Sequence, residues 1–189
     1  MKNVYLGGLL GGIAFFLWQN ISWTVIPWHQ PKNIPNDDFI AMDMKDNMPE
    51  PGVYHYPGFP VESPEMTAAQ KQEAWNGMLM RFKSGPRISM LVYDPAGGAF
   101  MRPMQFVAGF ILALLAAFIA AYLLARAALS LKYWGRTGYV LLIGLFAALL
   151  GPLSEWNWWN FPLDYSLQMV ADYAIGWSLT GMVIAWRVH

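Results

Sequence analysis

Four apolar runs constrain this chain more than anything else in it. They cover about Val4–Ile26, Met104–Leu129, Gly138–Leu153 and Tyr165–Trp186, the first separated from the rest by about 75 residues. A bilayer core takes roughly 20 mostly apolar residues per helix. Three runs meet that length, and the third is short at about 16 residues. Backbone groups cannot stay unpaired in lipid, so each run is expected to be a helix. The expected fold is a mainly α membrane protein with four transmembrane helices and a small extracytoplasmic α+β insert between helices 1 and 2. The first helix falls in 1–27, the insert in 28–103, and a three-helix region with an outer aromatic loop, 154–164, in 104–189. The first run follows Met1-Lys2 as a signal peptide would. It is longer than a signal h-region and no A-x-A-like site follows it, so it reads as a retained anchor.

Composition narrows the function. Charged residues are 13% of the 189, against roughly 25% in a soluble domain, and hydrophobic residues are 56%. Four spans and the insert leave no room for a separate soluble catalytic domain. Lys plus Arg and Asp plus Glu both number 12, so phosphate attraction gives no support to a nucleic-acid partner. Cysteine is absent, which removes disulfides, thiolate zinc, iron–sulfur clusters and covalent c-type haem. His29, His55 and His189 lie outside the runs, so a haem held between transmembrane histidines has no ligands. No cofactor is expected. The G-x-S-x-G, H-E-x-x-H and phosphate-loop patterns are missing too, and no catalytic residue is assigned.

Charges orient the spans. Lys2, Arg126, Lys132, Arg136 and Arg187 collect at run ends on one side without an acidic residue, while the acidic residues outside the runs fall on the other side. The positive-inside rule places both termini and a tight loop Lys132–Arg136 in the cytoplasm, and the insert and the 154–164 loop in the periplasm of a bacterial inner membrane. Arg126 is expected to snorkel to the headgroups.

Within the insert, Ser63 as N-cap and Pro64 at N1 predict a helix to about Lys83, with Trp75, Met78, Leu79 and Phe82 on one face. Gly85-Pro86 stops it. Ile88–Tyr93 and Gly52–Tyr56 read as strands, and a shorter helix runs from Asn36 or Asp37 to about Asp46. Two strands and two helices bury little core, so the insert is expected to lean on a neighbour.

Several residues are candidates for function. Asp172 is the one acid inside a run, about 10 Å from its outer boundary, and such a residue marks a functional site by default. Gln19 and Asn20 lie at similar depth, which predicts an intramembrane polar cluster of Asp172, Gln19 and Asn20; interhelical hydrogen bonding is the plainer account of it and a proton or ligand site the sharper one. Gly7, Gly8, Gly11 and Gly12 form overlapping G-x-x-x-G pairs for helix packing. Ala113, Ala117 and Ala121, and Gly144 and Ala148, repeat the theme. Trp156, Trp158, Trp159 and Phe161 form an interfacial aromatic stretch that an aromatic belt accounts for, with a quinone, lipid or sugar platform as the sharper reading. Met42, Met44 and Met48, with His29 and His55, are the candidate ligands of a Cu(I) site; thioethers as adaptable filler are the plainer account.

The stretches G-V-Y-x-x-P at Gly52–Pro57, W-N-W-W-x-F-P at Trp156–Pro162 and D-x-x-x-G-W at Asp172–Trp177 resemble a family of uncharacterised bacterial four-span membrane proteins. The resemblance covers most of the chain and implies the same topology. It brings no activity, cofactor or catalytic residue. The leading expectation is a non-catalytic accessory or scaffold subunit of a larger membrane assembly, of a bioenergetic kind, with membrane lipids and other integral subunits as partners. A periplasmic Met-rich copper-handling protein and a lipid- or quinone-interacting enzyme are the alternatives.

Overall fold

Long stretches of helix-forming apolar residues, broken only where proline or glycine intervenes, set the architecture. The computed structural model describes residues 2–127 and 130–188. The chain divides into two compact units, Met1–Lys32 with Ala99–His189, and Asn33–Gly98.

The first unit holds α1 (Lys2–Thr24), α4 (Pro103–Ala127), α5 (Tyr133–Leu150), α6 (Pro152–Trp159) and α7 (Leu163–Arg187). Three segments are long and apolar enough to cross a membrane: Lys2–Thr24, Pro103–Ala127 and Tyr133–Trp159, the last joining α5 and α6. These make the chain a multi-pass membrane protein by length and composition. α7 has the length of a span, 25 residues, and a more polar composition.

The helices pack in the order α4, α1, α7, α5, each antiparallel to its neighbour. The glycines of α1 explain how. A Cβ on Gly7 would lie 2.9 Å from Val188 Cγ2, and one on Gly11 2.7 Å from Ile184 Cγ1, so this pair faces α7. A Cβ on Gly8 would overlap the Phe118 ring and one on Gly12 would lie 2.8 Å from Leu114 Cα, so that pair faces α4. The two overlapping G-x-x-x-G motifs thus serve two different helices of the same chain. Ala113, Ala117, Ala120, Ala121 and Leu124 are the buried stripe of α4. On α5, Gly144 lies against the Trp177 ring, and a Cβ on Gly181 would meet Thr137 O at 2.9 Å. Small residues admit close backbone approach where lipid provides no hydrophobic drive.

Two boundaries depart from expectation. α5 begins at Tyr133, so most of the expected Lys132–Arg136 loop is its first turn; the end of the second run, residues 128–129, lies outside the described residues. The 154–164 segment is largely the helix α6 and not a loop. Gly151, at φ −93° and ψ −101°, breaks the chain out of α5, and Pro152 starts α6 at N1, where its missing N–H is no loss.

The second unit contains α2 (Asp37–Asn47), β1 (Gly52–Tyr56), α3 (Ala68–Ser84) and β2 (Ile88–Tyr93). β1 and β2 form an antiparallel pair, Gly52 opposite Tyr93 and Tyr54 opposite Leu91, with an irregularity between Tyr54 and Tyr56. α3 starts later than Ser63 and Pro64 predict. Ser63 Oγ accepts from the Glu65 N–H in a local turn, whereas Thr67 and Gln70 form a reciprocal capping box that satisfies two free donors. Of its expected apolar face only Met78 is buried; Trp75 and Leu79 are exposed. Trp75 Nε1 instead donates to Glu62 Oε1 at 3.0 Å, and Lys71 pairs with Glu62 at 3.2 Å. Those two donors hold the Glu62 carboxyl below its ordinary range. Among the described residues of this unit, Met78 and Pro57 are the buried apolar side chains.

Candidate functional site

The α7-facing stripe of α1 continues past its glycines as Phe15, Trp18 and Ser22, at spacings of four, three and four residues. Near its end the helix meets Pro27, which cannot donate to the ladder. The chain turns there, with Val25 N and Ile26 N both bonded to Ile21 O and Trp28 N to Ile26 O. This turn folds His29 back beneath Ser22.

Asp172, buried on α7, meets these residues. Trp18 Nε1 donates to Asp172 Oδ1 at 2.7 Å and to its backbone oxygen at 3.1 Å. His29 Nε2 lies 3.8 Å from Asp172 Oδ2 and 3.2 Å from Ser22 Oγ. Trp28 Nε1 donates to both Ser22 Oγ, at 3.0 Å, and Ser22 O, at 3.2 Å. Trp23 stacks on the imidazole at 4.3 Å between centroids, and Trp28 lies at 5.2 Å on a tilted plane. His29 is 7% exposed and Asp172 4%. Burial holds the imidazole below its ordinary 6.5, with the Asp172 carboxylate pulling the other way.

The partners differ from those expected on depth alone. Asn20 Nδ2 donates to Phe16 O on its own helix, and Asp172 draws its hydrogen bond from Trp18 rather than from Gln19 or Asn20. Successive helical side chains diverge by about 100°, so Gln19 and Asn20, the two residues after Trp18, point away from the α7 face.

The chemistry open to the cluster is limited by one nitrogen. A serine nucleophile needs its hydroxyl on one imidazole nitrogen and the carboxylate on the other. Here both approach Nε2, while Nδ1 is buried without a partner. At 3.8 Å the carboxylate faces the imidazole at ion-pair range, outside hydrogen-bond distance, and the arrangement does not suit a hydrolytic triad.

Beside it, Trp28, Lys32, Phe161, Asp164, Tyr165 and Gln168 line a cavity of about 540 Å³. Phe161 thereby lines a cavity wall, 5.9 Å from Tyr165, whereas Trp156, Trp158 and Trp159 on α6 are exposed. The methionine candidates are placed differently. Met42 and Met44, two residues apart on α2, diverge by about 200°, and Met42 is 70% exposed. His55 Nδ1 lies 3.1 Å from Pro57 O with its ring against Phe59. Among the described residues no three His, Cys, Asp or Glu side chains gather where they could hold a metal. Compared with protein-family models, with curated proteins and with solved structures, the chain finds no match.

Proposed function

We propose that this protein is a non-catalytic accessory or scaffold subunit of a bacterial inner-membrane complex of a bioenergetic kind. α7 is its fourth span, both ends are cytoplasmic, and the Asn33–Gly98 unit lies in the periplasm. The observation that carries the reading is the apolar surface of that unit. Phe39, Val61 and Val92 are 76%, 91% and 77% exposed, and two apolar side chains are buried. A unit with so little core of its own is expected to lean on a neighbour, and these exposed side chains support that. The glycine faces, consumed inside the bundle, move the expected partner contact from the helices to this unit. The packing of α7 supports the fourth span. Flanked by α1 and α5, it keeps Ser166, Asp172 and Thr180 out of lipid, so it needs fewer apolar residues than an outer helix.

Extraction of native membranes into polymer-bounded discs tests the reading. The protein is expected in particles well above its own 21.3 kDa together with fixed partner subunits, and Val61→Asp with Val92→Asp is expected to release it without loss of helicity. A lone monomer at native expression refutes it. The buried Asp172–His29 pair beside the aromatic cavity supports a second reading, a quinone or lipid headgroup taken up in the outer leaflet. Asp172→Asn is then expected to abolish that binding while assembly persists.

A further inference from the structure

A different groove, at the opposite end of the bundle, has chemistry that the accessory reading does not use. It lies between α1 and α4, has a volume of about 620 Å³, and is lined by Val4, Tyr5, Leu115, Phe118, Tyr122 and Arg126. The α4 residues fall at i, i+3, i+7 and i+11, one stripe running about 17 Å along the axis. Its floor is apolar and aromatic, with Tyr5 edge-on to Phe118 at 6.4 Å. One cation closes it. Arg126 is exposed, donates Nη2 to Tyr122 Oη at 3.2 Å, and lies 5.2 Å from the centre of that ring. A guanidinium has five donors, and this bond occupies one.

We propose that this groove binds an anionic phospholipid, its acyl chain along the α4 stripe and its phosphate on Arg126. Three observations converge. Both walls belong to helices long and apolar enough to cross a bilayer, so the solvent that meets the groove is lipid. The groove runs along the helix axes, as an acyl chain does, and its cation stands at the helix end, at headgroup depth. Charge complementarity then selects among lipids. Lys2, Arg126, Lys132, Arg136 and Arg187 gather at this end, while Glu155, Asp164 and Asp172, the acids of this unit, belong to the other. Basic pockets between spans hold anionic headgroups, whereas a zwitterionic headgroup brings an ammonium into the same field.

Native mass spectrometry of the full-length protein, titrated in detergent with phosphatidylglycerol or phosphatidylcholine of equal chain length, tests this. Phosphatidylglycerol is expected to be retained preferentially. Arg126→Gln is expected to weaken it about five-fold, the worth of one cation at the surface, and Arg126→Lys to recover part of the loss. Leu115→Trp, which fills the groove and keeps the charge, is expected to reduce retention of both lipids. Equal retention of the two lipids by the native protein overturns the proposal, and this comparison stands even where a variant fails to fold. So does unchanged phosphatidylglycerol binding in folded Arg126→Gln or Leu115→Trp, or cross-linking that places a second copy of the chain on this face.

Discussion

Asp172 is anchored by the Trp18 indole, and this makes its charge and its acceptor role separable. Asp172→Asn keeps an Oδ1 acceptor for Trp18 and removes only the charge facing His29. It is expected to melt close to the native protein in mild detergent. Asp172→Leu removes the 2.7 Å side-chain acceptor and leaves the indole N–H only the backbone oxygen of residue 172 at 3.1 Å. It is expected to lose about 0.5–1.5 kcal/mol, read from thermal unfolding followed by tryptophan fluorescence. His29 adds a pH dependence of known sign. Its folded pKa is lowered by burial, so protonation favours the unfolded chain. Stability is expected to hold above the ordinary value of 6.5 and to fall as pH drops below it toward the lowered value. His29→Gln should flatten that part of the profile, and an unchanged profile would place the dependence elsewhere. This cluster was only partly legible beforehand. Depth along a helix can be counted from either end, and it singled out Asp172, Gln19 and Asn20. The azimuth that puts Trp18 and Ser22 on the α7 face was available in the Gly11–Phe15–Trp18–Ser22 spacing. The return of His29 after Pro27 was not, because a turn's direction depends on what the returning chain packs against.

Among elements, α5 shows how a small residue can be required in one turn and dispensable in another. A Cβ at Gly144 would overlap Trp177, which is itself pinned 5.0 Å from Phe15. Gly144→Ala is therefore expected to destabilise by about 1–3 kcal/mol through overpacking. Gly138, on the same helix, has open space around its would-be Cβ, and Gly138→Ala is expected to stabilise by about 0.5–1 kcal/mol, since glycine costs entropy in a helix interior. Thermal unfolding of the two variants side by side checks both signs. Elsewhere, strand positions and the short helix α2 were readable from alternation and turn residues. The start of α3 was not, since Ser63-Pro64 and Thr67-x-x-Gln70 both offer caps and the one that satisfies two donors reciprocally prevails. The kink at Gly151 was masked by Pro152, whose ring suits the first turn of a new helix as well as the end of an old one.

For the whole molecule, the absence of cysteine makes topology directly measurable. Single replacements Lys132→Cys and Val61→Cys are expected to react oppositely with an impermeant maleimide in intact spheroplasts, Val61→Cys at once and Lys132→Cys only after lysis. Labelling of both without lysis would overturn the orientation proposed from the charges. Membrane character, helical content, the two strands and the charge asymmetry were determined by sequence alone. Each is a local or summed property: a run of apolar side chains, an alternation, a count of lysines and arginines. The tertiary structure decided which residues meet. It spent the glycine motifs of α1 on α4 and α7 within one chain, gave Asp172 the partners Trp18 and His29, and left the insert with little buried core. Those outcomes depend on the rotation of each helix about its axis and on which helices become neighbours, and close-packed fit between distant segments sets both.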